Sequence, residues 1–288
     1  TITFQIFLFF LYKNGIIFLK CLKSFFIYKN LIIRSDFMQP SKEWLEKWKK
    51  VKNKLQPSSN LEDYFSLKEI AGKELDVMDI GPCSIPTGEF LVRDPLVYLL
   101  DKSSEPYIQK IPTGEFKTEV CVVKASDGDC DRYAAVRLKF NTNKIAYYEE
   151  AMLGDEELDD IQEGEYFGFV VDAGLACICD KKLHSLYCDF NEKWIKENPD
   201  GNTYDDYFAK LFKKSYEDNP KYQRKDGDWI NWTIPGTDYH LPMFQSGFGD
   251  GVYPVYLAYD KDGNVCQLII EFIDIELAYS ETDEEDEE

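Results

Sequence analysis

The stretch VYPVYLAYDKDGNVCQLIIEFI, residues 252–273, decides the predicted fold. Its two outer runs are rich in Val, Ile, Leu, Tyr and Phe, which favour pleated, half-buried strands. Between them, Asp260-Lys261-Asp262-Gly263-Asn264 supplies the residue types that tight turns prefer. We therefore predict strands over Val252–Tyr259 and Val265–Ile273, joined as an antiparallel hairpin.

Upstream segments have the same character. Short strands separated by turn residues are predicted from Val77 to Phe140, one bent strand or two over Tyr166–Cys179, and another over Trp229–Ile234. The hexapeptide Ile-Pro-Thr-Gly-Glu-Phe occurs twice, at Ile85–Phe90 and Ile111–Phe116. Pro followed by Gly two residues later suits a type I turn, so we interpret the repeat as one turn used at two strand entries.

Fewer segments show helical spacing. The first predicted helix is capped by Ser41 and ended by Pro57, and a short second helix is capped by Asn60. A third is predicted over Lys144–Leu153. The fourth begins at Thr203, with Asp206 completing a capping box, and ends before Asn219-Pro220. Asp155–Glu165 is predicted to be an acidic loop. The predicted fold class is α+β: a mostly antiparallel, sandwich-like β-sheet structure with a few flanking helices.

Four regions follow from this pattern. Residues 1–37 precede the first Met and have the composition of translated AT-rich DNA, so we expect translated upstream sequence or a disordered segment there. A membrane anchor is the alternative, but lysines interrupt every apolar run. Residues 38–76 are expected to be helical, 77–275 to form a single β-rich domain, and 276–288 to be an acidic, disordered tail.

The chain is strongly acidic, with a net charge of −20 over its 288 residues. Such a field repels nucleic-acid phosphates and anionic lipid, and it favours basic proteins. We therefore expect a basic protein as partner, and neither nucleic acid nor membrane.

Seven cysteines follow Met38, most of them in apolar, strand-like runs. An odd number without a visible export signal is typical of reduced thiols in the cytoplasm. Cys177, Cys179, His184 and Cys188 are weak candidates for a zinc site. Zinc would require all four to converge, whereas free buried thiols act as small hydrophobic groups. No metal or cofactor is expected.

Several phrases together resemble the domain-of-unknown-function family numbered 4241 over about Ile80 to Ile273. They are Pro86-Thr87-Gly88, Asp94-Pro95, Pro112-Thr113-Gly114-Glu115-Phe116, Asp131-Arg132-Tyr133-Ala134-Ala135, Val171-Asp172-Ala173-Gly174 and Ser246-Gly247-Phe248-Gly249-Asp250-Gly251-Val252-Tyr253. Phe248 departs from the Trp expected there. The resemblance implies a single domain and names no reaction.

The last of these phrases is the main candidate for a functional surface. A ligand could approach the backbone closely at Gly247, Gly249 and Gly251. Polar groups are available on Ser246 and Asp250, and Tyr253 is the last residue of the motif. The alternative is a structural turn in which Asp250 caps backbone amides.

Asp172 interrupts an apolar run and is expected to be half-buried, with Arg132 as its partner. It could act as a general acid or base, hold a cation, or form a structural ion pair. Asp260–Asn264 and Asp127-Gly128-Asp129 resemble the start of a calcium loop but are interpreted as hairpin turns.

Two functions are the main alternatives, and calcium binding at the Asp-Gly turns is a third possibility. The first is a non-enzymatic binding or interaction module, because no nucleophile elbow, P-loop or dinucleotide fingerprint is visible. The alternative is a small-molecule enzyme, hydrolase-like, with Asp172 and Asp250 in one cleft and Arg132 orienting the substrate.

Overall fold

A computed structural model describes residues 39–125 and 130–280, and it confirms the hairpin. Strand Val255–Tyr259 pairs antiparallel with Val265–Glu271. In the turn, Oδ1 of Asp260 accepts hydrogen bonds from the backbone N–H groups of Asp262 and Asn264, both at 2.9 Å. These bonds fix the turn and set the register of the two strands.

Thirteen strands are found among the described residues. They are β1 Glu69–Ile70, β2 Lys73–Ile85, β3 Phe90–Arg93, β4 Gly114–Val123, β5 Arg132–Lys139, β6 Tyr147–Glu150, β7 Phe169–Val171, β8 Leu175–Asp180, β9 Trp229–Thr233, β10 His240–Gln245, β11 Gly251–Tyr253, β12 Val255–Tyr259 and β13 Val265–Glu271. A seven-stranded sheet has the order β1-β2-β4-β5-β13-β12-β6, a four-stranded sheet has the order β3-β8-β10-β9, and β11 pairs with β7. The pairings that build these sheets are antiparallel.

Short helices flank the sheets. They are α1 Lys42–Val51, α2 Asp63–Ser66, α3 Lys181–Glu197, α4 Ala209–Asp218 and α5 Ile275–Tyr279, with a 3₁₀ turn at Lys52–Lys54 and a π-helical turn at Thr203–Phe208. As predicted, the Oγ of Ser41 caps α1 by accepting a hydrogen bond from the N–H of Trp44. The predicted fold class, α+β with mostly antiparallel sheets, is confirmed.

Strand β8 shows how the layers are arranged. Successive side chains of a strand point to opposite faces. Ala176 and Ile178 accordingly belong to the apolar core that the two larger sheets share. Cys177 and Cys179 belong to a second core, which the helices cover with residues such as Leu183. Strand β8, which lies inside the four-stranded sheet, is therefore buried on both faces.

The predicted helix over Lys144–Leu153 is wrong. Residues Tyr147–Glu150 form strand β6 at the edge of the large sheet, paired with β12. The ring of Tyr147 stacks on that of Tyr259 with centroids 5.1 Å apart, a cross-strand pair of the kind that stabilises sheets. Strand pairing thus overrides the local helical spacing.

Two predicted strand regions each contain two strands, and for Tyr166–Cys179, predicted as one bent strand or two, the second alternative is confirmed. Val252–Tyr259 is interrupted at Pro254: Gly251–Tyr253 pairs with β7, whereas Val255–Tyr259 joins the large sheet. Proline has no N–H to donate to a ladder, so it separates the two pairings. Tyr166–Cys179 contains two strands in different sheets, β7 and β8, and the loop between them leads to the candidate site.

Helix α3 is absent from the sequence-based prediction. It begins after Asp180, whose Oδ1 accepts a hydrogen bond from the N–H of Lys182. The next helical segment is capped by Asn202 rather than by Thr203. The side chain of Asn202 accepts from the N–H groups of residues 204 and 205, and Asp206 accepts in return from the N–H of Asn202.

The predicted boundaries also shift. Strand β1 and the beginning of β2 lie within 38–76, which was expected to be helical. Helix α5 occupies residues 276–279, the beginning of the predicted tail. Residues 1–37, residues 281–288 and the Asp127–Asp129 turn lie outside the described residues. Within the described ranges, no helix combines the length and the apolar character needed to cross a membrane.

A charged cleft at the end of the smaller sheets

Two chain connections meet at one end of the smaller sheets. Residues 172–174 join Val171 to Leu175, and residues 246–250 join Gln245 to Gly251. Gly251 is opposite Val171, and Gln245 is opposite Leu175, in antiparallel register. This register places both connections at the same end.

The loop 172–174 is held through its backbone. Oδ2 of the buried Asp94 accepts hydrogen bonds from the N–H groups of Asp172 (3.0 Å) and Ala173 (2.7 Å), and Oδ1 of Asp250 accepts one from the N–H of Gly174 (3.0 Å). The prediction that Asp172 is half-buried is therefore wrong: its strand ends at Val171, and its own side chain is exposed.

The loop 246–250 is held by its own side chains. The hydroxyl of the buried Ser246 donates a hydrogen bond to the carbonyl oxygen of Gly249 at 2.8 Å. The hydroxyl of Tyr253 lies 3.1 Å and 2.7 Å from the carbonyl oxygens of Ser246 and Gly249. Gly247 has φ +52°, and a Cβ there would come within 2.8 Å of the Cβ of Phe272. Ser246 and Tyr253 thus shape the loop.

Together the loops border a cavity of about 420 Å³. Five residues singled out from the sequence line it: Arg132, Asp172, Gly247, Gly249 and Asp250. Ser246, Gly251 and Tyr253 support the loop without lining the cavity. The structure therefore brings Asp172, Asp250 and Arg132 into one cleft.

One wall of the cleft is acidic. Desolvation raises the pKa of Asp250 and the hydrogen bond from the N–H of Gly174 opposes it, while the nearby carboxylates of Asp172 and Asp94 add smaller increases. Burial and the same three carboxylates raise the pKa of Tyr98. The shared influence shows that the acidic groups are close enough to repel one another, so a cation at this wall would be favoured.

The other wall carries hydrogen-bond donors. Nε of Arg224 donates a hydrogen bond to Oδ1 of the buried Asp228 at 2.7 Å. Nη2 lies 2.5 Å from the same oxygen and donates to Oε1 of Gln245 at 3.4 Å. The guanidinium of Arg132 lies 5.6 Å from the ring centre of Phe248, which is 56% exposed at the cleft. The cleft therefore combines two cations, an exposed aromatic ring and an acidic wall.

Several residues that line the cavity were not predicted from the sequence: Tyr204, Phe212, Arg224, Gly227, Asp228 and Gln245. One signal was available, because Arg224 is one of only five arginines in the chain. The others lie far along the chain from Asp172, and only the folding of α4 and β10 against the loops brings them near it.

The four zinc candidates do not converge. Sγ of Cys177 donates to the carbonyl of Arg93, and Sγ of Cys188 donates to that of Leu99. The Nε2 of His184 lies 3.1 Å from the carbonyl oxygens of Leu99 and Asp101. Within 39–125 and 130–280, no group of three or more His, Cys, Asp or Glu side chains is placed to hold a metal ion. The carboxylate of Asp260, from the calcium-like turn, accepts hydrogen bonds from its own hairpin and from Asn143.

These features define a β-rich α+β domain with a charged cleft between two loops. The chain matches the sequence model of a family described as "Protein of unknown function (DUF4241)" over residues 83–270, and it belongs to that family. The resemblance inferred from the motifs is thereby confirmed. No curated protein and no solved structure shows significant similarity to the chain.

Proposed function

We propose that this chain is a non-enzymatic binding protein whose cleft accepts a cationic side chain of a basic protein partner. One observation carries the proposal: Asp172 and Asp250 line the same cavity, and Asp172 has no ion-pair partner among the described residues. An ammonium or guanidinium group placed between two carboxylates relieves their mutual repulsion and gains charge-assisted hydrogen bonds.

The whole chain supports this assignment. Its net charge of −20 attracts basic proteins over a distance of about one Debye length and steers their approach. The cleft adds a local element to this long-range attraction, because Asp172 and Asp250 line the same cavity. Long-range charge then governs the rate of association, and the cleft governs specificity.

The side-chain arrangement favours binding over catalysis. Neither His184 nor His240 lines the cleft. The hydroxyl of Ser246 donates to a carbonyl of its own loop and is buried, so it is not presented to a ligand as a nucleophile.

Titration of a lysine-rich peptide tests the proposal. Relative to the unaltered chain, the double variant Asp172→Asn with Asp250→Asn is expected to bind roughly tenfold or more weakly, because two charge-assisted contacts are lost. The measurement is the dissociation constant from fluorescence anisotropy at low and high salt, and binding should weaken as salt rises.

The matched control is Asp238→Asn with Glu163→Gln, which removes the same charge from exposed residues that do not line the cleft. Its affinity should stay within about twofold of the unaltered chain. If both double variants bound the peptide equally weakly, the loss of affinity would follow from net charge alone. That result would contradict the assignment of the cleft as the binding site.

A hydrolase-like enzyme is the second candidate. It is favoured by one observation: a carboxyl with a raised pKa, Asp250, lies beside a second carboxylate, Asp172, as an acid–base pair requires. Chromogenic ester and amide substrates test it. Turnover that Asp250→Asn removes and Asp238→Asn retains would support this candidate, whereas absence of turnover across both substrate classes would count against it.

We place the protein in the cytoplasm. The support is that the seven described cysteines, from Cys83 to Cys266, are free thiols and six of them are buried, which suits a reducing compartment. Neither nucleic acid nor a membrane is proposed as a partner, and no cofactor is required for binding.

A further inference from the structure

Gln245 lines the cleft and carries a buried, unsatisfied donor. Its side chain is only 5% exposed, and its Nε2 has no hydrogen-bond partner among the described residues. The orientation of the amide is fixed, because Oε1 faces a donor, Nη2 of Arg224, at 3.4 Å. Exchanging the amide oxygen and nitrogen would place two donors against each other. A buried donor without an acceptor is unfavourable, so the site is suited to a ligand that brings an acceptor.

The charge beside Gln245 indicates what kind of acceptor fits. Nε and Nη2 of Arg224 bind Asp228, while Nη1 has no hydrogen bond to any described residue. A guanidinium with free N–H groups next to a free amide N–H₂ is a typical arrangement for binding a carboxylate. Arg132, which lines the same cavity, adds positive charge to this wall.

We propose, on the basis of the function proposed above, that the cleft recognises the C-terminal residue of its partner. This residue is lysine or arginine. The terminal carboxylate binds the Nε2 of Gln245 and the Nη1 of Arg224, while the basic side chain binds Asp172 and Asp250. A C-terminal lysine or arginine carries a carboxylate and a cationic group within one residue, so it offers both charges at once.

The size of the cavity agrees with this occupant. At about 420 Å³ it lies near the lower end of the range for ligand sites, roughly 300–1,000 Å³, which suits one or two residues and not a long chain. A lysine in the middle of a partner chain would bring no anion, so the donors of Gln245 and Arg224 would remain unmatched.

Three labelled peptides that differ only at the C-terminal position, and that contain no other Lys or Arg, test this inference by anisotropy. One ends in lysine with a free carboxylate, the second ends in lysine amide, and the third ends in alanine with a free carboxylate. The first is expected to bind roughly tenfold or more tightly than each of the others, because each of the others lacks one charged contact.

The outcomes separate the two proposals. Equal affinity for the lysine acid and the lysine amide would overturn the C-terminal inference and leave the cationic site intact. If the alanine acid binds as tightly as the lysine acid, or if neither lysine peptide binds, the function proposed above fails, and this inference fails with it.

The variant Gln245→Met provides an independent arm. Methionine has a similar length and no donor, so the free protein should keep or raise its thermal midpoint, because an unsatisfied buried group is removed. Affinity for the lysine acid should fall roughly tenfold, and affinity for the lysine amide should not change. A parallel loss of affinity for both peptides would contradict a carboxylate contact at Gln245. Arg224 is left unaltered because its removal would strand the buried charge of Asp228.

Discussion

Replacing Gly227 with alanine is expected to lower the free energy of unfolding by more than about 3 kcal/mol. Gly227 has φ +85°, and a Cβ built on it lies 2.0 Å from the carbonyl oxygen and 2.4 Å from the carbonyl carbon of Phe212. Phe212 is buried in helix α4 and belongs to the second core. The helix cannot yield without disturbing that core, so steric overlap adds to the strain of the positive φ.

Gly236→Ala is the matched control for this prediction. Gly236 has φ +82°, but a Cβ there meets nothing within 4 Å. The free energy of unfolding of Gly236→Ala should therefore fall only by the strain of the left-handed conformation, about 1–2 kcal/mol. Urea denaturation of both variants gives the comparison. Equal losses would mean that α4 can move aside, contrary to the tight approach seen at Gly227.

Raising the pH from 6.5 to 8 is expected to destabilise the protein through two buried glutamates. Burial raises the pKa of Glu150 to about 8 and that of Glu271 to about 7, with Asp274 adding to the effect at Glu271. In the folded state these groups keep protons that the unfolded chain has lost above its ordinary pKa of 4.5. Stability from such groups is fully present below that value and falls as pH rises, by up to about 1.4 kcal/mol per pH unit for each group.

The variant Glu150→Gln isolates the larger contribution. Oε1 of Glu150 accepts hydrogen bonds from the N–H groups of Phe167 and Gly168, both at 2.8 Å, and a glutamine oxygen can keep them. In this variant the free energy of unfolding should fall less steeply with pH. At pH 8 the variant should be more stable than the unaltered chain. Urea midpoints at half-unit steps measure the slope, and Glu163→Gln, an exposed change, should leave it unaltered. His184 acts mainly below this window, since burial lowers its folded-state pKa from 6.5. Stability that rises with pH across the window would refute the assignment.

The hairpin and the fold class were predictable because their causes are local. Alternating apolar residues and the Asp260–Asn264 turn specify two strands without help from the rest of the chain. The edge strand Tyr147–Glu150 was not predictable in this way, because its partner, Tyr256–Tyr259, lies more than a hundred residues away. Helix α3 did leave a signal, since Leu183, Tyr187, Phe190 and Trp194 recur at helical spacing.

Some residues of the candidate site were likewise predictable from local sequence, and others were not. Asp172, Asp250 and Arg132 could be proposed from the sequence because each is an unusual residue in its own segment. The burial of Asp172 was misjudged, because the sequence does not show that its strand ends at Val171. Gln245 could not be selected, since its unsatisfied amide depends on where Arg224 lies after folding.

The alternation along β8 has a consequence for thiol chemistry. Cys177 and Cys179 lie in the dry layer beneath the helices, and burial raises the pKa of both thiols, so neither is available as a thiolate nucleophile in the native state. Alkylation of these two sulfurs therefore requires the helices to separate from the sheet. The rate at which a reagent such as iodoacetamide reaches them, resolved by peptide mass, reports the opening of that layer without any introduced label.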